Sequence, residues 1–302
     1  MEGIAFCPAH ITGFFKAELE NLNNVEELGS QGAGFSIQKG VKTRVRVRKK
    51  TEYDISNFHL NILGYQTDNV QVSEFVIEKF LSLIGKDIFV DVDHEINIPV
   101  GYGLGCSGAV ALSLGLALNQ ALDTNLSKEK VGLIAHEAEI KCKTGLGDVL
   151  ASYHGGFEIR TKAGAPGYGT IKKIKTKDYS VIIICFSPIS TKRFITERLP
   201  SINGLGGKMV TKLEKSKNIV EFQDMSLEFA KYVNVITPKM ATVIKDLNDN
   251  GFNSGVALFG ETVFSLTPKK LEKKVIDILK KYDDGIIIKS KIDNAGARIT
   301  KQ

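Results

Sequence analysis

Residues 99–109 read Pro99-Val100-Gly101-Tyr102-Gly103-Leu104-Gly105-Cys106-Ser107-Gly108-Ala109. Four glycines fall within eight residues, and a run of small side chains follows: Ala109, Ala111, Ser113, Gly115 and Ala117. The spacing predicts a helix over 106–122. A glycine loop ending on a helix N-terminus is an anion site. Free backbone N–H groups point outward, the helix dipole favours negative charge, and small side chains let a phosphate reach the backbone. The implied ligand class is a phosphate or a nucleotide triphosphate. Gly103-Leu-Gly-Cys-Ser-Gly108 also fits GxGxxG, but the context is wrong for a dinucleotide site. Residues 94–100 separate the glycines from the preceding strand, and Asp123 ends a helix instead of a second short strand. A P-loop is excluded because no Gly-Lys-Ser/Thr follows. A tight packing turn is the plain alternative, but one glycine would serve it.

Downstream, residues 128–142 predict a second helix, capped by Ser127. Its apolar stripe is Val131, Ile134, Ala135, Ala138 and Cys142. At about 100° per residue, Glu139 falls roughly 80° from the stripe centre and Glu137 about 120° on the other side. Glu139 is thus the semi-buried candidate ligand, and Glu137 faces solvent. Asp148 follows the turn Thr144-Gly-Leu-Gly147 and precedes an apolar stretch. Alone it would be an ordinary helix N-cap. Beside a phosphate cradle, these parts fit phosphoryl transfer. That reaction needs magnesium held by a hydroxyl and a carboxylate, and a group to orient or deprotonate the attacking hydroxyl. Ser107, Glu139 and Asp148 supply those types.

The rest of the chain sets bounds. It has 302 residues, 43% hydrophobic and 25% charged, which suggests about two globular domains and excludes a wholly disordered chain, collagen or a coiled-coil rod. The net charge of +6 suits anionic ligands and nucleic acid alike. Cys7, Cys106, Cys142 and Cys185 are widely spaced with no CxxC pair, so they read as reduced thiols of a cytosolic protein. No signal peptide is apparent, and the apolar run 107–122 is too short and too polar to span a bilayer.

Residues 34–50 alternate, with Thr43, Val45 and Val47 on one face and Arg44, Arg46 and Arg48 on the other. A half-buried strand with a solvated charged face is the plain reading, and a nucleic-acid patch the sharper one. Residues 70–84 have helical spacing, and 87–93 alternate as a strand. In the second half, 180–186 form a buried strand, and helices are expected near 205–217, 222–235 and 238–249. Residues 255–259 and 261–266 flank a tight Gly260 turn, a hairpin signature. Thr267-Pro268 signals another capped helix, and 285–292 a last strand. The order strand, helices, strand, strand, helix, strand is that of a ferredoxin-like sandwich. The boundary is placed after residue 175, giving units 1–175 and 176–302.

Residues 99–109 resemble the central motif PxxxGLGSSAA of the GHMP kinase superfamily, with Cys106 and Gly108 as departures. The resemblance implies a two-domain α+β fold, an N-terminal ATP-binding half sharing its fold with a ribosomal protein domain, and a ferredoxin-like C-terminal half. It implies ATP and magnesium as cofactors. Gly101, Gly103, Leu104, Gly105, Cys106, Ser107 and Gly108 would cradle the nucleotide, with Asn69 in a segment like the family's nucleotide-contacting one. Ser107 and Glu139 would hold magnesium, and Asp148 would act on the acceptor hydroxyl. The segment Pro8-Ala9-His10-Ile11-Thr12-Gly13-Phe14-Phe15 is most similar to the archaeal pantoate kinases of that superfamily. So are Gln31-Gly-Ala-Gly34, Thr144-Gly-Leu-Gly-Asp148 and the reduced glycine motif at 254–264.

This branch implies ATP-dependent phosphorylation of pantoate to 4-phosphopantoate in archaeal coenzyme A synthesis. His10, Thr12 and Arg44 are the candidates to meet the acceptor carboxylate. The same resemblance implies small-molecule partners and a dimer, while the cysteines and the short apolar run give a cytoplasmic location without a membrane span, and the lack of an aromatic stacking segment beside the basic strand argues against nucleic acid. Three alternatives stand beside it: a homoserine, shikimate or mevalonate kinase; a non-catalytic sensor on the same fold; and an RNA-binding protein.

Overall fold

The structure is a computed structural model describing all residues except 21–23, 86, 177, 190 and 302, and all side chains of these except 191–194. Glu2–Glu18 (β1) and Gly29–Lys49 (β2) form a long antiparallel pair. Phe58–Gly64 (β3), Gln71–Ile84 (α1) and Ile88–Ile96 (β4) follow. Then come three helices, Cys106–Leu122 (α2), Lys128–Cys142 (α3) and Asp148–His154 (α4), and the strands Phe157–Lys162 (β5) and Thr170–Ile174 (β6). β2 outruns any single partner. Residues 41–49 pair with β4 and residues 32–35 with β5. The first sheet runs β1-β2-β4-β3, with β5 and β6 branching from β2.

The second half holds Tyr179–Pro188 (β7), three helices, Thr191–Ser216 (α5), Ile219–Tyr232 (α6) and Pro238–Asp249 (α7), and the hairpin Gly255–Ala257 (β8) and Gly260–Pro268 (β9). After a single 3-10 turn come Glu272–Leu279 (α8), Ile286–Ser290 (β10) and Arg298–Ile299 (β11). This sheet runs β10-β7-β9-β8, the strand order of a ferredoxin-like sandwich. The middle of β7, residues 181–186, is apolar because both faces are covered. Ile182 and Ile184 pack into one core, and Val181, Ile183 and Cys185 into the other. The last residues return to the first sheet, where β11 pairs with β1.

Fourteen of the seventeen residues of α2 are buried, which explains its small side chains: a larger residue would hold the helix off the sheet. The helices 106–122 and 128–142 match expectation, and the Ser127 side chain accepts from Lys130 N–H as the cap. On β2, Thr43 and Val45 are fully buried. Opposite them, Arg44 pairs with Glu2, Arg46 with Asp91 and Asp93, and Arg48 with Asp54. Exposed pairs like these contribute little stability. They do pair the whole arginine run with carboxylates, as the plain reading of a solvated charged face expects.

Several boundaries differ from expectation. α5 starts at Thr191, not near 205, and carries Pro200 inside it. The Pro and Gly signals of that stretch are overridden by packing: at Gly206 a Cβ would stand 1.9 Å from the Phe15 carbonyl oxygen, so the helix lies directly on β1. α6 starts at Ile219, capped by Asn218, whose side chain accepts from two backbone N–H groups. The β8–β9 turn is made by Leu258-Phe259, with Phe259 left-handed at φ 69°, and Gly260 already belongs to the strand. Thr267 and Pro268 end β9 instead of capping a helix, because the ladder with β7 extends to the Tyr179–Pro268 pair. All four cysteines are free thiols, and among the described residues no helix is long and apolar enough to cross a membrane.

Candidate active site

The glycine loop turns through left-handed φ values at Gly101, Gly103 and Gly105. A Cβ at Gly103 would stand 2.2 Å from the Leu258 carbonyl oxygen, so the β8–β9 turn presses directly on the loop. His10 N–H donates to the Leu104 carbonyl at 3.1 Å, and Ile189 N–H to the Gly101 carbonyl at 3.0 Å. The Thr262 hydroxyl donates to the Tyr102 carbonyl at 2.9 Å. Both halves of the chain therefore fix the loop in advance of any ligand. α2 leaves this loop with Gly105 as N-cap, and no side chain caps it. Its first N–H groups are left for an anion.

A cavity of about 390 Å³ opens over this helix end. Thr12, Asn69, Gly101, Gly103, Leu104, Gly105, Cys106, Ser107 and Asp148 line it, as their sequence context predicts. Thr144 and Phe259, from the segments 144–148 and 254–264, also line it, as do Gln71, Lys143 and Ile189, which lie in no motif that would have singled them out.

Glu139 lies just behind Ser107, buried on α3 at 2% exposure. The Thr144 hydroxyl donates to its Oε1 at 2.5 Å, and the Ser107 hydroxyl also approaches the carboxyl. Burial first, and the neighbouring Asp148 charge second, push its pKa up to about 7. Its Oε2 is buried with no hydrogen-bond partner. A Cβ on Gly145 would stand 2.0 Å from that oxygen and 3.3 Å from Asp148 Oδ2. The two carboxylates thus converge beside a position that only glycine can occupy. Gly108 borders both from the α2 side.

Asp148 is the first residue of α4, and Gly147 holds the cap position. The side chain makes no capping bond. Instead its Oδ1 faces Nδ1 of His10 at 2.8 Å. His10 Nε2 faces Oε1 of Glu158 at 3.1 Å, and Arg160 Nη1 donates to the same oxygen at 2.5 Å. Arg160 Nη2 donates to the Thr12 hydroxyl at 3.4 Å. Carboxylate oxygens only accept, so His10 holds both ring protons to serve both partners. Burial would push its pKa down, but the charges and hydrogen bonds of Glu158 and Asp148 outweigh burial and raise it.

Two candidate acceptor contacts are placed elsewhere. His10 has no exposed surface and does not line the cavity, because both ring nitrogens are engaged behind Asp148. Arg44 lies on the outer face of the sheet, 2.8 Å from Glu2. Only Thr12 of the three reaches the cavity. The buried Glu158–Arg160 pair is the main element the sequence reading missed. Opposite charges two apart on an apolar strand, Phe157-Glu-Ile-Arg160, are the signal that could have found it.

Comparison with known proteins identifies the family. The family described as GHMP kinases N terminal domain matches residues 71–156, which span the loop, both helices and α4. The pantoate kinase of Methanocaldococcus jannaschii is 34% identical over 91% of this chain and 96% of its own length. That of Thermococcus kodakarensis is 28% identical over 91% of each. A solved structure described as a phosphotransferase related to the CoA biosynthesis pathway superposes with a TM-score of 0.88, at 25% identity and 99% coverage of both chains. By similarity along nearly its whole length, the chain belongs to the GHMP kinase family and, within it, to the group of the archaeal pantoate kinases.

Proposed function

We propose that this kinase transfers the terminal phosphoryl group of ATP to the primary hydroxyl of pantoate, giving 4-phosphopantoate on a route to coenzyme A. One observation carries the reading. Among the described residues, the charged side chains with a buried, unpartnered polar atom are Glu139, Glu158 and Arg160, and all three sit around Asp148. Buried polar atoms are normally satisfied, so such atoms mark where ligand charge belongs. Glu139 Oε2 suits a cation. Arg160 is fully buried, so its charge reaches the cavity through the Thr12 hydroxyl, to which its Nη2 donates.

Ser107 and Glu139 offer hard oxygen donors, which fit magnesium. Bound there, magnesium would neutralise charge on the phosphates of the nucleotide. The glycine loop and the uncapped α2 terminus cradle the triphosphate, with Asn69 at the nucleotide side of the cavity. His10 holds Oδ1 of Asp148, which leaves the other oxygen to take the acceptor hydroxyl proton. Such general-base help is typically worth about 10²–10⁴-fold. Thr12, with Arg160 directly behind it, forms the wall that meets the acceptor carboxylate.

The test is ADP release with pantoate, homoserine, shikimate and mevalonate as alternative acceptors. Release with pantoate alone is expected. Release with another acceptor and none with pantoate overturns the choice of substrate. No release with any of them favours a non-catalytic sensor.

A further inference from the structure

A second cavity, about 240 Å³, borders Gly145, the residue on which the Glu139 and Asp148 carboxylates converge. Its walls are apolar: Leu19, Leu28, Ile140, Leu146 and Ile195. Lys143 lines both this cavity and the main one, so the two spaces are neighbours. Gly145 lines the second cavity and adds no side chain to it. Nothing in the phosphate-binding machinery needs an apolar hollow at this place.

The chemistry of the acceptor supplies a reason for it. Pantoate carries its reacting hydroxyl and its carboxylate at opposite ends, with two methyl groups on the carbon next to the reacting CH₂OH. Asp148 Oδ2 is 3.3 Å from where a Cβ on Gly145 would stand, so with the hydroxyl at Asp148 the quaternary carbon would come beside the Gly145 turn. A polar wall there would lose hydration with no compensating bond, whereas an apolar wall gains by burying the methyls. We infer that this cavity takes the dimethyl carbon of the acceptor, and that Leu28 and Ile195 select branched over unbranched hydroxy acids. The inference rests on pantoate being the acceptor. The chain reaches the pocket from four directions: the end of β1, the approach to β2, the last turn of α3 and the first turns of α5. Selectivity is thereby built outside the glycine loop, on residues free to vary while the phosphate cradle stays fixed.

The test compares kcat/KM for pantoate with kcat/KM for 2,4-dihydroxybutanoate, which lacks both methyls. One methylene in an apolar pocket changes this ratio about 10- to 200-fold, so the unmodified enzyme is expected to favour pantoate at least about 10-fold. Leu28→Ala and, separately, Ile195→Ala are expected to lower kcat/KM for pantoate about 10-fold and leave the unbranched acid within about 3-fold. Leu28 is buried and Ile195 half-buried, so the second variant stays readable if the first fails to fold. Equal losses on both acceptors, or an enzyme indifferent to the methyls, overturn the inference and leave the pantoate reading intact. Absence of pantoate turnover by the unmodified enzyme overturns both.

Discussion

Nδ1 of His10, which has no exposed surface, stands 2.8 Å from Oδ1 of Asp148, a carboxylate that opens onto the main cavity. The carboxylate we propose as the reacting group is therefore held by a buried histidine, which is itself held by Glu158 at 3.1 Å. His10→Gln keeps one hydrogen bond at most and removes the charge. The expected result is a fall in kcat of about 10²-fold from misplacement of Asp148, with the KM for ATP nearly unchanged. Steady-state kinetics with each substrate varied in turn check this, and equal changes in both KM values would count against a positioning role.

Asp148→Asn keeps the size and most of the packing but cannot take a proton. A loss of about 10²–10⁴-fold in kcat is expected. ATP binding, followed by calorimetry, is expected to persist, because the glycine loop and α2 terminus do not depend on Asp148. Full activity in this variant would remove Asp148 from the chemistry.

Gly145→Ala tests the convergence of the two carboxylates. Its Cβ would stand 2.0 Å from Glu139 Oε2, so that carboxylate must move. Changes to residues that orient a metal ligand typically cost 10–100-fold in metal affinity, so if Glu139 holds magnesium about that much more of it is expected for half-maximal activity. The thermal stabilisation by magnesium and ATP together is expected to shrink in parallel, which a melting curve measures without turnover.

Acid sensitivity follows from His94, buried among hydroxyls on the far side of α2. Its Nδ1 faces the Thr43 hydroxyl at 2.8 Å and its Nε2 the Ser73 hydroxyl at 3.1 Å. Burial holds its pKa down at about 4, against an ordinary value of 6.5. Between those values the unfolded chain binds a proton that the folded chain does not. Stability is therefore intact above about 6.5 and is lost as pH falls toward 4, by up to about 3 kcal/mol. His10 has the opposite sign: its raised pKa adds stability that is complete below the ordinary histidine value and fades as pH rises through the native one. Urea denaturation at pH 7 and pH 5 is expected to show a smaller acid loss in His94→Gln than in the unmodified protein.

Arg160→Lys addresses the acceptor side. Lysine retains the charge but not the planar fork that serves Glu158 and Thr12 together. A KM for pantoate raised about 10-fold or more, with the KM for ATP unchanged, is the expected outcome. A rise confined to ATP would argue against this placement of the carboxylate.

Local chemistry reaches a long way into this protein. Gly101 to Gly108 followed by small residues specify a phosphate loop and a buried helix, because backbone freedom and close packing are properties of those residues themselves. Ser127 specifies the start of α3 in the same way, and the alternation of Thr43, Val45 and the arginines specifies a half-buried strand. The extent of α5 was hidden because Pro200 and its neighbouring glycines read as breakers, and only contact with β1 keeps that segment helical. The Gly260 turn was misread because that glycine answers to Tyr102 on another element, with a Cβ that would stand 2.2 Å away, and not to its own hairpin.

Sequence alone thus marked out the glycine loop at the start of α2, the candidates Ser107, Glu139 and Asp148, and the ferredoxin-like order of the second half. Each of these rests on residues near one another in the chain. Tertiary structure alone decided the partnership of His10 with Asp148 and Glu158, 138 and 148 residues away. It also decided the burial of Arg160, the outward placement of Arg44 and the apolar cavity beside Gly145. A histidine reads the same in every context until burial and two facing carboxylates set its charge, and those come from β5 and α4 folding back onto β1.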